Sequence, residues 1–275
     1  MEIALRANSF NFYLTTLVKK LQLRRTFRLQ YISDLHLDVQ KKKDIPTIKP
    51  LAKYLAICGD LCCPGNPLFY NFLQTQSKNF DKVFFVPGNH DYDSGPMFNS
   101  EKVEKWDPVI KNICNSFKNV HYLNRNAYYL DHNVLLLGSI LWSKPLPKSS
   151  GLLHPEYKNY CDHLHEHTQH VNWLESAIDT NRDKNIIVLT HFVPTFKLIE
   201  DKYKNKGDYK TSWVATDLEH VFISPVRAWI CGHSHSRIQT AVNGVPCVIN
   251  AYGYRNGTEA NDDDTINQTI DVDLF

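Results

Sequence analysis

Apolar, β-branched and aromatic residues recur in five short runs along the chain, and a small polar cluster follows each run. Runs of this kind, closed by Gly or Pro, are typical of buried strands. The five runs span residues 28–33, 54–58, 83–86, 186–189 and 228–231. The clusters that follow are Asp34-Leu35-His36, Gly59-Asp60, Gly88-Asn89-His90-Asp91, Thr190-His191 and Gly232-His233-Ser234-His235. Because open α/β sheets bind ligands at strand ends, we expect the five clusters to converge on one site.

Helical spacing appears between and after these strands. Apolar residues recur at intervals of three and four over residues 67–78, 100–117 and 156–181, which predicts three helices. The two predicted hairpins pair residues 128–130 with 134–142 and residues 238–242 with 245–249. Asn243-Gly244, between the second pair, suits a type I′ turn. With a last strand expected over 269–273, strands alternate with helices and later pair in hairpins, which predicts mixed sheets.

The composition indicates a chain that can bury a full core, since 43% of its 275 residues are hydrophobic and 12% are aromatic. We predict one domain over residues 27–275, preceded by an N-terminal extension, residues 1–26. The extension is basic and contains Ser, Thr and Asn, a composition faintly like an organellar transit peptide. Its apolar and aromatic residues favour the alternative, in which it docks on the domain.

The net charge of the chain bears on its binding partners, and its cysteine content bears on its cellular compartment. A net charge of +2 gives no reason to expect a partner that is a nucleic acid or a membrane surface. No stretch approaches the ~20 apolar residues that a membrane helix needs. Seven cysteines without regular spacing indicate a reducing compartment, hence the cytoplasm, rather than a disulfide framework.

The side chains of the five clusters indicate a metal centre. Carboxylate, amide and imidazole groups together suit divalent transition metals, and the set is large enough for two ions. Two neighbouring cations need a shared anionic ligand, and Asp60 is the natural bridge. Asp34 and His36 would face one side of an extended segment, as would His233 and His235. His90 is suited to protonate a leaving oxygen, because an imidazole exchanges protons near neutral pH.

Four further histidines lie on the third predicted helix. They are His163, His165, His167 and His170. Three of them would share one helical face, but the surrounding sequence is polar, so we interpret this face as solvated rather than metal-binding.

The ordered motifs resemble those of the calcineurin-like metallophosphoesterase family, which run Asp-x-His, Gly-Asp, Gly-Asn-His-Asp/Glu, His and Gly-His-x-His. The match covers residues 28–250. It implies the family's fold, an α/β (mixed α+β) sandwich of two mixed β-sheets flanked by helices. The second motif lacks the further Asp and the Arg of the protein phosphatases, so a Ser/Thr protein phosphatase is not favoured. The sequence looks more like a subgroup of uncharacterised cytosolic phosphoesterases.

The resemblance also implies a role for each residue of the centre. Asp34, His36 and His235 would hold one metal, and Asn89, His191 and His233 the other, with Asp60 between them. His90 carries over as the general acid and Asp91 as the residue that orients it.

These inferences predict a metal-dependent phosphoesterase that uses a hydroxide activated by two divalent ions, which could be Mn, Fe or Zn. The substrate would be a small phosphate ester or a nucleotide. No Arg precedes Arg237 in the motif segments, which slightly favours phosphodiesters over the more highly charged monoesters. Two alternatives remain: a non-catalytic metal-binding scaffold, and a nuclease that uses the Lys- and Tyr-rich stretch 195–212. That stretch is otherwise interpreted as a flap beside the centre.

Overall fold

The computed structural model of the chain describes residues 25–41, 45–146, 157–201, 209–254 and 266–274. The strands of these residues are β1 (Arg25–Ile32), β2 (Tyr54–Cys58), β3 (Lys82–Val86), β4 (Val120–Tyr122), β5 (Asn126–Tyr129), β6 (Val134–Ser139), β7 (Asn185–Thr190), β8 (Val226–Cys231), β9 (Arg237–Val242), β10 (Val245–Asn250) and β11 (Gln268–Leu274). The helices are α1 (Pro67–Asn79), α2 (Ser100–Asn115), α3 (Tyr157–Thr180) and the single turn α4 (Tyr209–Ser212).

The strands form two mixed sheets. The first has the order β11-β1-β2-β3-β4, and only its β11–β1 pair is antiparallel. The second has the order β5-β6-β7-β8-β10-β9, with antiparallel pairs at its two edges and parallel pairs between them. The predicted fold class, two mixed sheets flanked by helices, is therefore confirmed.

Alternate residues of the central strands face two different cores. Phe84 and Val86 of β3 pack between the sheets against Leu136 and Leu189 of the second sheet. Phe85, between them in sequence, faces the helices and meets a phenylalanine of α1 edge-on, with ring centres 5.4 Å apart. Burial of each such side chain contributes roughly 1.5–3 kcal/mol. Because both faces are covered, the strands read as continuous apolar runs rather than as alternating patterns.

The carboxyl ends of strands from both sheets meet at one edge of the sandwich. The Ser33 N–H, after β1, donates to the Asn250 carbonyl at the end of β10, 3.0 Å away, and so joins the two sheets. The Asp34 N–H donates to the Gly59 carbonyl after β2, at 2.9 Å. The backbone thus brings together segments that are far apart in sequence.

Most predicted elements match the structure. The three long helices and the last strand differ from their expected bounds by only a few residues, and both hairpins are antiparallel pairs. Asn243 and Gly244 have φ values of 51° and 82°, as a type I′ turn requires.

The strand predicted over 134–142 is shorter than expected. β6 ends at Ser139, and Leu141 and Trp142 then adopt left-handed φ values of 74° and 50°. The two left-handed residues turn the chain out of the sheet, and the Trp142 ring lies 5.3 Å from the ring of Phe192. Apolar residues alone could not indicate this turn, because the run stays hydrophobic past the end of the strand.

The prediction of a solvated histidine face on α3 is wrong. His163, His167 and His170 are buried, with relative exposures of 0%, 5% and 2%. A neutral imidazole can donate and accept hydrogen bonds, so it can be buried where partners are available. His170 Nδ1, for example, lies 2.7 Å from the hydroxyl of Ser139 at the end of β6.

Two of these histidines hold the left-handed segment that follows β6. His163 Nδ1 accepts a hydrogen bond from the Phe98 N–H at 2.9 Å, while Nε2 lies 3.0 Å from the Ser143 carbonyl. His167 Nδ1 lies 3.2 Å from the Trp142 carbonyl. The buried face of α3 therefore supplies hydrogen-bond partners to the Phe98 N–H and to carbonyls of the segment that follows β6.

Some predictions concern segments outside the described residues. The docking of the N-terminal extension concerns residues 1–24, which are not described, whereas Arg25 and Thr26 already belong to β1. The middle of the predicted flap, residues 202–208, also lies outside them. None of the described helices has both the length and the apolar character needed to cross a membrane.

His163 should make the protein less stable in acid. Burial lowers the pKa of His163 to about 4 from its ordinary 6.5, so the unfolded chain takes up the proton first. This histidine leaves the free energy of unfolding unchanged above about pH 6.5 and lowers it by up to ~3 kcal/mol as the pH drops toward 4. In guanidinium unfolding, the loss of stability between about pH 7.5 and about pH 5 should be smaller in His163→Gln than in the wild type.

The matched control is His165→Gln, which changes an exposed histidine of the same helix. This variant should keep the pH dependence of the wild type. An equal pH dependence in the wild type and His163→Gln would show that His163 does not control the loss.

Candidate metal centre

The residues of all five polar clusters meet at the shared edge of the two sheets. Their potential donor atoms form two groups, each with all atoms within 4.8 Å of one another. The first group is Asp34, His36, Asp60 and His235, and the second is Asp60, His191 and His233. Asn89 adjoins the second group, since its Oδ1 lies 3.1 Å from His191 Nε2. Clusters that are distant in sequence therefore lie side by side in the folded chain.

Asp60 belongs to both groups, and its two oxygens face in different directions. Oδ2 lies 3.7 Å from His36 Nε2 in the first group. Oδ1 lies 3.4 Å from His191 Nε2 in the second. A carboxylate placed in this way offers one oxygen to each of two neighbouring sites.

The spacing of the donors fits metal ions held between them. Ligand atoms bound to one ion at about 2.1 Å lie about 3.0–3.4 Å from each other, depending on the coordination geometry. His36 Nε2 and His235 Nε2 are 3.0 Å apart, and His191 Nε2 and His233 Nδ1 are 3.2 Å apart. Nitrogen, amide and carboxylate donors of this kind are those that divalent Mn, Fe and Zn accept.

The ligand segments are not extended, contrary to the sequence prediction. Asp34 and His36 have φ values of 55° and 44°, and His233 and His235 have φ values of 67° and 52°. Asp60 is also left-handed, with a φ of 55°. Two left-handed residues that flank a single intervening residue bring Asp34 and His36 into one group, whereas the same arrangement brings His235 into the first group and His233 into the second. Such backbone costs of order 1–3 kcal/mol per residue and is concentrated at functional sites.

Neighbouring polar groups orient several of these donors. The Cys58 carbonyl lies 2.9 Å from His191 Nδ1, so Nε2 of that ring is directed into the centre. Asn89 Nδ2 donates to the Ser94 carbonyl at 3.2 Å, which leaves Oδ1 directed inward. Supporting contacts of this type fix the tautomer and orientation of metal-binding side chains.

Asp91 has a different set of contacts from the one expected. It was predicted to orient His90, but its described hydrogen bonds all come from the backbone. Its carboxylate accepts the N–H groups of Asp60, Leu61 and Gly88 at 2.9, 2.8 and 2.7 Å, with a fourth from Cys62. Asp91 therefore connects the loop after β2 to the loop after β3.

Two glycines allow these loops to approach. A Cβ at Gly88 would lie 2.1 Å from Asp60 Oδ1, and one at Gly59 would lie 2.3 Å from His191 Nδ1. Gly59 also has a φ of 84°, which favours glycine. The Gly-Asp and Gly-Asn pairs of the sequence therefore reflect close packing around the Asp60 carboxylate.

The buried charges of the centre shift each other's pKa values. Burial lowers the pKa of His36 to about 3, although Asp60 favours its protonated form. Burial also opposes protonation of His191, but Asp60 and Asp34 raise the pKa of that ring to about 9. Burial opposes ionisation of Asp60, yet His191 and His36 hold its pKa below the ordinary range. These pKa directions favour an ionised Asp60 beside a protonated His191 and a neutral His36.

His90 lies at the mouth of the centre rather than among the donors. Its backbone N–H donates to Asp60 Oδ1 at 2.8 Å, and its half-buried ring stands edge-on to His36 with ring centres 4.8 Å apart. Tyr254, which the sequence analysis missed, stacks on His36 at 4.4 Å. A sequence signal existed, since an apolar run at residues 245–249 precedes Gly253 and Tyr254, and three of the five clusters likewise begin with a glycine after such a run.

A cavity of about 330 Å³ opens beside the second group. Its lining residues are Ile199, Glu200, Thr211, Val214, His233, Ser234, His235 and Ser236. Among these described residues there is one carboxylate, and there is no Lys or Arg. Two histidines of the centre thus form part of the wall of this pocket.

Comparisons with known proteins agree with this geometry. A sequence model of the calcineurin-like phosphoesterase family matches residues 27–237. An uncharacterized protein of Acanthamoeba polyphaga mimivirus is 29% identical over 262 residues, and the match covers 82% of this chain and 91% of that protein.

Two crystal structures are similar in fold. Phosphopantetheinyl hydrolase from Mycobacterium tuberculosis has a TM-score of 0.63 at 16% identity, covering 88% of this chain and 95% of its own. A protein of Thermus thermophilus has a TM-score of 0.53 at 13% identity, covering 82% of this chain and 90% of its own. At these identities the likeness shows a shared fold.

Replacing Asp91 should loosen the centre without removing a donor. In Asp91→Asn, the amide nitrogen would meet backbone N–H groups that need an acceptor, which should lower the free energy of unfolding by roughly 2–4 kcal/mol. Chemical unfolding measures this loss, and metal analysis should show fewer ions bound per chain. Asp93→Asn changes an exposed carboxylate two residues away and should leave both quantities near the wild-type values.

Proposed function

The chain belongs to the calcineurin-like phosphoesterase family, as its motifs predicted, and is a metal-dependent hydrolase of phosphoric ester bonds; within that class we propose the following site and substrate. One ion would be held by Asp34, His36 and His235, the other by Asn89, His191 and His233, with Asp60 shared. His90 would act as the general acid. Asp91 would support this arrangement through the backbone rather than through the imidazole of His90.

The position of Asp60 carries this proposal. Its two oxygens face separate groups of nitrogen and oxygen donors, at 3.4 Å and 3.7 Å from a histidine of each group. A buried carboxylate in that position is suited to two cations rather than one. When bound, such ions supply Lewis acidity toward a phosphoryl oxygen and a hydroxide nucleophile near neutral pH.

His90 is placed to serve the leaving group. Its backbone N–H donates to the Asp60 carboxylate, and its ring stands edge-on to His36 of the first group. Its Nε2 is directed toward the mouth, where it lies 3.4 Å from the hydroxyl of Tyr254. A proton held at this nitrogen can pass to the departing oxygen of an ester bound in the mouth.

The pocket beside the centre favours a phosphodiester. A monoester carries two negative charges near neutral pH and a diester one, so a monoester gains more from Lys or Arg in the binding site. The described residues of the pocket supply neither, and Glu200 adds a carboxylate to its wall. We therefore expect a small phosphate ester or a nucleotide, with a preference for diesters.

The two ends of the segment 195–212 support its interpretation as a flap. Ile199 and Thr211, on either side of its undescribed middle, both line the pocket. Lys197, near the start, is paired with Glu219 at 2.6 Å, which reduces the positive charge available for a nucleic acid. This pairing favours the small-ester proposal over a nuclease.

Cysteine chemistry fits the cytoplasmic location that the sequence suggested. All seven cysteines are free thiols, and most of them are buried among apolar residues. We also retain the proposal that residues 27–275 act as one domain.

Asp60→Asn tests the two-metal proposal. An amide has only one oxygen and no charge, so it bridges two cations poorly. Both metal content and activity should therefore be lost. The assay uses Mn-, Fe- or Zn-reconstituted protein on bis-para-nitrophenyl phosphate and para-nitrophenyl phosphate. The wild type should have the higher kcat/KM on the diester. Near-normal turnover by Asp60→Asn with two ions bound would contradict the bridging role.

His90→Ala tests the general acid. Metal content should stay at the wild-type level, while kcat should fall by roughly 10²–10⁴-fold on esters with poor leaving groups. The loss should be smaller on para-nitrophenyl esters, because nitrophenolate leaves without a proton. Equal losses on both types of substrate would assign His90 a structural or ligand role instead. His121→Ala changes a half-buried histidine on β4 and serves as the control.

A further inference from the structure

Tyr254 is held over the centre by the backbone that follows β10. The Gly253 N–H donates to the Asp34 carbonyl at 2.9 Å. The Gly253 carbonyl accepts a hydrogen bond from Gln40 Nε2 at 2.8 Å, and the same amide group donates to the Leu35 carbonyl at 3.0 Å. The segment that carries Asp34 therefore also fixes the position of Tyr254.

The ring of Tyr254 contacts three histidines of the centre. It stacks on His36 with ring centres 4.4 Å apart and an angle of 29°. It meets His235 edge-on at 4.9 Å. Its hydroxyl lies 3.4 Å from His90 Nε2. Tyr254 nevertheless remains 47% exposed, so part of the side chain faces the mouth of the centre.

The position of its hydroxyl puts Tyr254 within reach of a leaving group beside His90. A general acid must lie within about 2.6–3.2 Å of the oxygen that it protonates. The Tyr254 hydroxyl lies 3.4 Å from His90 Nε2, slightly beyond that range. An ester oxygen that approaches His90 from the mouth therefore also comes within reach of the phenol.

We propose that Tyr254 contacts the substrate, with its hydroxyl donating a hydrogen bond to the departing ester oxygen beside His90 and its ring forming one wall of the cleft. This inference rests on the proposed function, in which His90 is the acid. The proton that reaches the leaving oxygen comes from His90, and Tyr254 keeps its own. The substrates that gain most are phosphodiesters of alkyl alcohols or unactivated phenols, whose leaving oxygens develop the most charge.

A tyrosine that only covers His36 would behave differently. In that role the ring matters and the hydroxyl does not, so removing the hydroxyl would change all substrates equally or not at all. Donation to the leaving oxygen instead requires the hydroxyl and depends on how much help the leaving group needs. The two roles are therefore separable with one variant and two substrates.

The experiment compares wild-type protein and Tyr254→Phe, each reconstituted with metal, on methyl phenyl phosphate and methyl para-nitrophenyl phosphate. We expect kcat on the phenyl ester to fall about tenfold and kcat on the nitrophenyl ester to fall clearly less. Metal content and thermal stability should stay unchanged. Tyr129→Phe is the matched control, because Tyr129 is an exposed tyrosine on β5 whose hydroxyl donates to Asn181.

A second measurement, a double-mutant comparison, tests whether Tyr254 and His90 act on the same leaving oxygen. In a His90→Ala background, Tyr254→Phe should reduce kcat on the phenyl ester by a larger factor than in the wild type, because the unprotonated leaving oxygen then departs with more charge and the hydroxyl is its remaining donor. Equal losses on both esters, or unchanged kcat on the phenyl ester, would overturn the role of Tyr254 and leave the phosphoesterase proposal standing. A wild type that carries two ions but hydrolyses neither ester would overturn both.

Discussion

The metal centre depends on a buried carboxylate that is not among its proposed ligands. Asp91 is fully buried and accepts four backbone N–H groups from the loops that follow β2 and β3. Those loops carry Asp60 and Asn89. Loss of this acceptor would leave several buried N–H donors unsatisfied. The relative position of Asp60 and Asn89 therefore depends on a carboxylate that lies behind both of them.

The centre also explains why strained backbone persists at this edge of the sandwich. Five of its residues have positive φ, and the packing around Asp60 leaves no room for side chains at Gly59 and Gly88. The strands beneath are buried on both faces and form a rigid base, which can hold conformations that an isolated loop would abandon. The stability of the two cores thus supports the geometry of the site.

The sequence predicted much of this arrangement for a physical reason. Strands covered on both faces must be continuously apolar, so a polar residue at the end of such a run stands out, and Asp34, Asp60 and His191 were found in that way. Contacts between distant segments left weaker signals. The burial of His163 depends on carbonyl and N–H partners from two other loops, and the contacts of Asp91 depend on how a short turn directs neighbouring side chains. Tyr254 was missed because its residue type does not suggest a ligand.

The joining of distant segments at one edge has a consequence for the order of folding. His36 and His235 lie 3.0 Å apart but are separated by 199 positions along the chain. Closing such a long loop is entropically costly, so contacts of this kind form late. During synthesis, the first sheet can begin to pair before residue 235 has been made, but its acidic and imidazole side chains then lack their partners from the second sheet. Because the donors come from both sheets, tight metal binding requires that both sheets have folded and packed together.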